Sequence, residues 1–314
     1  MDLSVIIVCY KGWDKLTLCL ESLEKFSGSR FTSEVIIVDN NSGDPALNEI
    51  EKRFSNFIFI RNTVNGGYAN GCNLGFKSSV GDKILILNPD TVVTEEAIGN
   101  LLEEAHKNPG YYIISCRQIR SDGRVTKPWG RFPGLFKKER KEAGEQDLVF
   151  FPDWVSGSLM LMSREIFSRL NGFDEDYWMY SEDVDLCRRA RDLGGEIALF
   201  NKITIEHNHG GSSRINSRTT SVTKTEVQIS RHLYISKHIR GSERFLMHSL
   251  IITDNILTGL IAFIAGLIFF FIPKLSVRAP IFLRLLGYYA RVLSGGRWES
   301  SQSVTYSRFY VKKH

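Results

Sequence analysis

A run of four apolar residues that stops at a proline constrains the fold of this chain more than any other feature. Ile84–Leu87 has no polar alternation, which is typical of a strand buried on both faces of a parallel sheet. Asn88, Pro89 and Asp90 follow at once. Because proline cannot continue a central strand, the strand is expected to end there in a turn. An amide and a carboxylate then lie just beyond the carboxyl end of a central strand, where open α/β sheets bind ligands. A turn former or a helix cap is the alternative for Asp90.

Three further apolar runs come before this one and alternate with helical patterns. The runs are Val5–Val8, Glu34–Val38 and Phe57–Ile60. Strands that alternate with helices indicate βαβ units. We therefore predict an α/β fold with a Rossmann-like, mostly parallel sheet. The glycine-rich loop Asn65–Gly71 matches neither GxGxxG nor a Walker A loop, so by itself it predicts only a tight turn and close helix packing.

The densest group of acids follows four bulky side chains. Tyr177–Tyr180 precedes Glu182, Asp183 and Asp185 at the predicted start of a helix. Attraction to the positive end of a helix explains one or two of these acids. A carboxylate beside an apolar wall can also have a raised pKa and act as a general base.

Two histidines follow a late predicted strand, Ile203–Glu206. His207 and His209 could complete a metal site with Asp90, although surface histidines are an equally simple interpretation. The charged segment Lys127–Glu145 is either a lid or acceptor-binding loop, or a solvated insertion.

Charge and cysteine content restrict the partners and the compartment. Residues 224–314 contain 13 Lys and Arg against 4 Asp and Glu, a net charge of +9, and the rest of the chain carries −4. A basic tail indicates an anionic partner, and its long aliphatic runs favour lipid over nucleic acid. Five scattered cysteines without a CxxC pair fit a reducing compartment. Since Met1 leads directly into a strand, we expect no signal peptide.

A long apolar stretch lies in the basic tail. Leu250–Ile272 is nearly all apolar and has four Lys or Arg within the 20 residues on each side. Equal basic flanks give no orientation by the positive-inside rule and favour a re-entrant or in-plane segment. Ile281–Leu293 has the pattern of an interfacial helix. The alternative is a helical pair that packs on the catalytic domain or on a second subunit, as in a homodimer.

Seven segments in order resemble the family 2 inverting glycosyltransferases, and within them the rhamnosyltransferase-like branch. They are Val5–Lys11 (VIIVCYK), Val35–Ser42 (VIIVDNNS), Asn65–Gly75 (NGGYANGCNLG), Leu87–Thr91 (LNPDT), Asp153–Gly157 (DWVSG), Gly172–Asp185 (GFDEDYWMYSEDVD) and His207–Ser213 (HNHGGSS). The resemblance covers roughly residues 3–240. It implies a GT-A fold, a nucleotide-sugar donor and a divalent cation, Mg²⁺ or Mn²⁺.

The resemblance also implies roles for individual residues. The implied donor contacts are Cys9, Tyr10, Asp39, Gly67, Asn88 and Gly157. Asn88 and Asp90 occupy the DxD position of the family, with Asn in place of the first acid, so Asp90 is the expected carboxylate ligand of the metal. His207 or His209 would supply a further ligand. Asp183, next to Glu182, matches the catalytic base.

We therefore predict a catalytic domain over residues 1–240 and a helical, membrane-associated region over residues 241–314. The predicted activity is metal-dependent inverting transfer of a sugar, with L-rhamnose from dTDP-rhamnose as the first choice, to a lipid-linked or polysaccharide acceptor. A UDP-hexose or galactofuranose donor, a sugar nucleotidyltransferase and a non-catalytic nucleotide-binding membrane scaffold are the alternatives. The expected location is the cytoplasmic face of the cell membrane, with a peripheral, monotopic or single-pass attachment.

Overall fold

The computed structural model describes residues 1–26, 30–135, 147–208, 216–269, 271–272 and 277–310. The strands within these residues are β1 Leu3–Cys9, β2 Ser33–Asp39, β3 Ile58–Arg61, β4 Lys83–Leu87, β5 Thr91–Val92, β6 Tyr111–Ile119, β7 Val125–Thr126, β8 Trp129–Gly130, β9 Val149–Phe150, β10 Trp154–Val155, β11 Leu159–Ser163 and β12 Glu196–His207. The helices are α1 Trp13–Glu24, α2 Ala46–Arg53, α3 Gly67–Lys77, α4 Glu95–Lys107, α5 Arg164–Arg169, α6 Glu182–Asp192, α7 Ser217–His238, α8 Gly241–Ile268, α9 Arg278–Leu293 and α10 Val304–Tyr310.

The predicted α/β fold with a mostly parallel central sheet is confirmed. Ten strands form one sheet, whose main path runs β3-β2-β1-β4-β11-β6-β12-β5. Strands β1 to β4 pair in parallel, as do β6 and β12, and β11 is inserted antiparallel between β4 and β6. The carboxyl ends of β1, β2 and β4 therefore lie along one edge of the sheet.

Strand β4 is buried on both faces, as its unbroken apolar run predicts. Ile84, Leu85, Ile86 and Leu87 each have 0% exposure. Alternate residues enter two different apolar cores: Leu85 and Leu87 belong to one, and Ile84 and Ile86 to the other. A turn at Pro89 and Asp90 ends the strand, in agreement with the prediction.

Close helix packing explains two glycines of the glycine-rich region. A Cβ atom on Gly71 would lie 2.6 Å from Cγ1 of Val8, and one on Gly75 would lie 2.5 Å from Cγ2 of Ile6. Helix α3 thus packs on β1 through these two positions. Gly67 has a φ of +86°, a conformation that favours glycine, at the first residue of α3.

The described chain divides into two compact units. Unit 1 consists of Met1–Phe132 and the described residues of Arg140–Glu175 and Glu182–Ser212, and it contains the ten-stranded sheet. Unit 2 consists of Asp176–Ser181 and the described residues of Pro133–Glu139 and Ser213–His314. It contains α7 to α10.

Unit 2 is a helical assembly with its own core. Ile229 of α7 and Leu285, Tyr288 and Tyr289 of α9 are buried together, and Ile252 of α8 packs against them. The predicted interfacial stretch therefore turns most of its apolar face toward α7 and α8. Phe282 and Leu285 have only 8% and 4% exposure, and Leu286 has 39%.

Helix α8 is long and apolar enough to cross a membrane. Only 11% of its most apolar stretch is buried within the protein. Large apolar side chains are exposed along it, namely Leu250, Leu257, Leu260, Ile261, Ile264, Leu267 and Ile268. The C-terminal apolar helix is thus a candidate membrane-associated extension, as the sequence predicts.

Candidate active site

The pairing of two short strand ends brings Asp90 and His207 together. Strand β5 pairs antiparallel with β12 so that Thr91 lies opposite His207. The backbone N–H of Asn208 donates to the carbonyl oxygen of Asp90 at 2.9 Å. Across this connection, Nε2 of His207 lies 3.1 Å from Oδ1 of Asp90. Two residues that are 117 positions apart in the chain therefore face each other at the edge of the sheet.

The second ring nitrogen of His207 is held by Gln118 of β6. Nδ1 lies 2.8 Å from Oε1 of Gln118, and both residues are buried. Since an amide oxygen only accepts hydrogen bonds, this assignment places the proton of the neutral ring on Nδ1. In this neutral form Nε2 and the Asp90 oxygen are two acceptors that face each other, whereas in the doubly protonated form Nε2 donates to Asp90 and the ring is positively charged. A cation between them, a proton or a metal ion, would stabilise this arrangement.

The surroundings of Asp90 favour its ionised form. Burial alone would raise its pKa, but the hydrogen bond and charge of His207, together with the charge of Lys15, lower the pKa of Asp90 below its ordinary value. Lys15 projects from α1 and donates from Nζ to the carbonyl oxygen of Asn208 at 2.6 Å. A carboxylate that stays ionised is suited to binding a cation.

These donors fit a divalent cation that is shared with a substrate. Within the described residues, no group of three or more His, Cys, Asp and Glu side chains is placed to hold a metal ion. His209, the alternative imidazole ligand, lies outside the described residues. A single carboxylate with one imidazole resembles sites in which Mg²⁺ or Mn²⁺ takes its remaining ligands from phosphate oxygens and water. Such a site would be complete only with a phosphate-bearing ligand.

Asp183 lies in the first turn of α6 and is held by two backbone N–H groups. Gly157 donates to its Oδ2 at 2.9 Å, and Val184 donates to its Oδ1 at 2.8 Å. The hydroxyl of Tyr68 donates to the carbonyl oxygen of Gly157 at 2.7 Å. The predicted site residues Gly157 and Asp183 are therefore in direct contact, and Tyr68 supports them.

Glu182 is buried and the neighbouring Asp183 is half-buried, and both carboxyl groups have raised pKa values. Burial raises the pKa of Asp183, although the N–H groups of Gly157 and Val184 offset part of the rise. Burial raises the pKa of Glu182, and the negative charge of Asp183 raises it further. Within the described part of the chain, Oε2 of Glu182 has no hydrogen-bond partner. Asp183 therefore ionises first, which suits it to accept a proton.

The predicted donor contacts at β1 and β2 are adjacent in the sheet. Cys9 and Asp39 end neighbouring parallel strands and lie opposite each other. Burial raises the pKa of the Cys9 thiol, which therefore stays neutral. Asp39 accepts from the backbone N–H of Ser42, and Tyr10 is half-buried. Carboxylate and aromatic groups at this edge are suited to a nucleoside.

An amide network behind this edge was not foreseen from the sequence. Nδ2 of Asn40 donates to the carbonyl oxygen of Gly67 at 3.0 Å and to Oδ1 of Asn65 at 3.1 Å. Asn62 donates to Asn40 at 3.0 Å. These bonds fix the start of α3 against the end of β2. Gln118 and Lys15 were missed as well, because neither belongs to a recognisable motif.

Asn88 connects the two halves of the site. Its backbone N–H donates to the carbonyl oxygen of Ser158 at 3.0 Å, one residue beyond Gly157. Its own carbonyl oxygen accepts from the hydroxyl of Thr91 at 2.7 Å. The turn that carries Asp90 is therefore fastened to the segment that contacts Asp183.

A mostly parallel sheet with Asp39 and Asp90 at or just beyond its strand ends, and Asp183 in the first turn of a helix, is typical of nucleotide-sugar transferases of the GT-A type. Residues 4–170 match the family model described as glycosyl transferase family 2. The chain belongs to this family, whose members are inverting glycosyltransferases. Residues 151–210 also match a model described as the N-terminal domain of galactosyltransferase.

Two relatives act in glycan synthesis. The chain is 28% identical to a low-salt glycan biosynthesis hexosyltransferase of Haloferax volcanii over 224 residues, which cover 66% of this chain and 67% of the relative. It is 31% identical to an N-acetylglucosaminyl-diphospho-decaprenol L-rhamnosyltransferase of Mycobacterium tuberculosis, over 61% of this chain and 71% of the relative. The resemblance to rhamnosyltransferases is thus confirmed.

A solved structure confirms the GT-A fold. The structure of GalNAc-T7 with UDP, GalNAc and Mn²⁺ matches with a TM-score of 0.54 at 17% identity. The match covers 76% of this chain and 50% of that one. At this identity the likeness concerns the fold alone.

Proposed function

We propose that this glycosyltransferase transfers L-rhamnose from dTDP-rhamnose, with a divalent cation, to a lipid-linked acceptor in cell-surface glycan synthesis. The relative from Mycobacterium tuberculosis supports both sugar and acceptor, because its name specifies rhamnose transfer to a diphospho-decaprenol lipid. A UDP-hexose or galactofuranose donor is the alternative within the same family. Family membership favours transfer over the nucleotidyltransferase and scaffold alternatives.

The observation that carries the proposal is the environment of Asp183. A half-buried carboxylate that is held by the backbone N–H groups of Gly157 and Val184, next to a protonated Glu182, is suited to accept the proton of an acceptor hydroxyl. The acceptor hydroxyl would attack the anomeric carbon while its proton passes to Asp183, and the bond to the nucleoside diphosphate breaks. Proton transfer to a positioned base typically contributes about 10²–10⁴-fold to the rate.

Asp90 and His207 would hold the cation, and Cys9, Tyr10, Asp39, Gly67 and Asn88 would contact the donor. When bound, Mg²⁺ or Mn²⁺ would neutralise the negative charge that develops on the diphosphate leaving group. Gln118 would orient the His207 ring, and Lys15 would add positive charge near Asp90.

We further propose that the protein works at the cytoplasmic face of the cell membrane. The exposed apolar surface of α8 supports attachment there, whether peripheral, monotopic or single-pass. An apolar surface of this extent could instead be covered in a homodimer. The proposed division into a catalytic domain of residues 1–240 and a membrane-associated region of residues 241–314 follows the start of this helix.

The donor is tested by thermal denaturation with nucleotide sugars and Mn²⁺. A ligand at 100 times its dissociation constant stabilises the folded state by about 2.7 kcal/mol, so a true donor raises Tm. We expect dTDP-rhamnose to raise Tm more than UDP-glucose, UDP-galactofuranose or GDP-mannose. A larger shift with a UDP-sugar would establish the alternative donor, and no shift with any of them would refute the proposal.

The base is tested by comparing two carboxylates of the same helix. Asp183→Asn should reduce transfer by about 10²–10⁴-fold and leave the donor-induced rise in Tm intact. Asp192→Asn is the matched control, because Asp192 ends α6, is 57% exposed and pairs only with Arg188 among the described residues. Near-normal transfer by Asp183→Asn would exclude this residue as the base.

A further inference from the structure

A cavity of about 360 Å³ lies between helices α7, α8 and α9 of unit 2. Its lining combines ionic and polar groups, among them Lys224, Asp254 and Asn255, with apolar ones such as Ile281 and Phe282. All of these residues belong to unit 2, and none belongs to the proposed catalytic machinery. The cavity therefore forms a site separate from the residues that were assigned to sugar transfer.

Two exposed cations lie at this cavity. Lys224 of α7 and Arg278 at the start of α9 both line it and are exposed. Within the described part of the chain, neither side chain takes part in an ion pair. Asp254 is the one acid in the lining, so the net charge of the lining is +1. A singly charged anion with additional hydrogen-bonding groups would match this composition.

The turns of α8 that line the cavity also carry exposed apolar side chains on another face. The residues of α8 that line the cavity lie between Asp254 and Ala262, on one face of the helix. The same turns expose Leu257 and Ile261, at 61% and 71%. A Cβ on Gly259 would lie 2.5 Å from Cδ2 of Phe282, so α8 and α9 approach closely there. The cations of the cavity, on α7 and α9, thus lie across from turns of α8 that carry uncovered apolar side chains.

We propose that this cavity binds the headgroup of an anionic glycerophospholipid. The phosphate would lie between Lys224 and Arg278, and Asp254 and Gln228 would meet the headgroup hydroxyls. The acyl chains would lie along the exposed apolar residues of α8. Membrane attachment then depends on lipid charge as well as on apolar surface, and one lipid molecule occupies a defined position in the protein.

The test uses the full-length protein and sedimentation with vesicles. Binding is measured on phosphatidylcholine vesicles and on mixed phosphatidylcholine and phosphatidylglycerol vesicles. Attraction by each cation near an anionic surface corresponds to about fivefold in affinity, so two cations predict about 25-fold preference for the mixed vesicles. Lys224→Gln with Arg278→Gln should remove most of this preference and leave binding to phosphatidylcholine unchanged.

A matched control separates the cavity from general surface charge. Arg240→Gln with Arg244→Gln removes two exposed cations from unit 2 that do not line the cavity. We expect this variant to keep the preference for phosphatidylglycerol. An equal loss in both double variants would show a diffuse electrostatic effect and would overturn the proposal.

A second pair of variants changes volume without changing charge. Ala262→Trp would fill the cavity, whereas Ile261→Trp enlarges a side chain on the exposed face of the same helix. We expect Ala262→Trp to abolish the preference for anionic vesicles and Ile261→Trp to keep it, with similar circular dichroism spectra and Tm. A preference that survives in Ala262→Trp would overturn the proposal.

Discussion

Nδ1 of His207 lies 2.8 Å from Oε1 of Gln118, 89 positions earlier in the chain. This contact fixes the ring so that Nε2 faces Asp90 at 3.1 Å. A histidine that donates one ring N–H to a fixed acceptor is oriented so that its other ring nitrogen can bind a cation. The contact supports the proposed metal site.

The first prediction concerns this orienting bond. Gln118→Leu removes the acceptor, and outer-shell partners typically contribute about 10–100-fold to metal affinity. We expect the Mn²⁺ concentration for half-maximal transfer to rise by this factor. The transfer rate at saturating Mn²⁺ should change little. Gln118→Glu keeps an oxygen acceptor and is the control that should retain metal affinity. An unchanged Mn²⁺ dependence in Gln118→Leu would show that Gln118 has only a structural role.

The second prediction concerns the pH dependence of transfer. The base must be ionised, so activity falls as the pH drops through the pKa of Asp183. Because burial raises that pKa, the acidic limb should lie above the value near pH 4 that is typical of an exposed aspartate. The check is a profile of kcat/KM against pH. An acidic limb at or below the value of an exposed aspartate would contradict the assignment.

The third prediction separates the two acids of the pair. The raised pKa of Glu182 keeps it protonated after Asp183 has ionised. Glu182→Gln copies the protonated form, so it should preserve the acidic limb and lower kcat far less than Asp183→Asn. Equal losses of kcat in the two variants would contradict this prediction, because they would show that transfer requires both carboxyl groups.

Local patterns in the sequence were sufficient to predict strands β1, β2 and β4, whereas the predicted strand Ile203–Glu206 covers only the last part of β12. The run Val5–Val8 lies within β1, and Ile84–Leu87 lies within β4, because an unbroken apolar run is compatible with few other positions in a sheet. The position of Asp90 just beyond β4 was predicted from the apolar run and Pro89, whereas the roles of Asp90 and Asp183 were assigned through the family resemblance. The predicted donor contacts Cys9 and Asp39 were also implied by the resemblance, and they lie at the ends of two neighbouring parallel strands.

The supporting residues could not be predicted in this way. Gln118 is one of three polar residues of β6, with Ser115 and Arg117, and its role depends on how β6 and β12 pair. Tyr68 and Asn40 likewise act on backbone groups that are distant in sequence. The apolar face of Ile281–Leu293 was assigned to a membrane because periodicity alone does not distinguish lipid from neighbouring helices.

The fourth prediction concerns the packing of α3 on β1. A methyl group at position 75 would lie 2.5 Å from Cγ2 of Ile6, whose own exposure is 0%. Gly75→Ala should lower the free energy of unfolding by about 1–3 kcal/mol, the usual effect of overpacking a core. Gly110→Ala is the control, since nothing lies within 4 Å of its added Cβ, and it should change stability by less than about 0.5 kcal/mol. Equal stabilities in denaturant titration would refute the close approach.

The fifth prediction concerns an ion pair of unit 2. Nζ of Lys237 lies 2.6 Å from Oδ2 of Asp176, and Arg297 lies 3.5 Å from the same oxygen. Burial alone would raise the pKa of Asp176, but the hydrogen bond and charge of Lys237, with Thr305 and Arg297, lower it below the ordinary value. A folded-state pKa below the unfolded value adds stability above the unfolded pKa, and this stability is lost as the pH falls through the folded pKa.

Lys237→Met should therefore lower the free energy of unfolding by about 1–3 kcal/mol at neutral pH, since it removes one partner of a largely buried carboxylate. The difference between wild type and variant should shrink below about pH 4, where protonation of Asp176 removes the charge in both proteins. Lys237→Arg keeps the positive charge and should recover most of the loss. Denaturant titrations at neutral and acidic pH measure both effects. A difference that does not depend on pH would show that Lys237 stabilises unit 2 through its aliphatic chain instead of through Asp176.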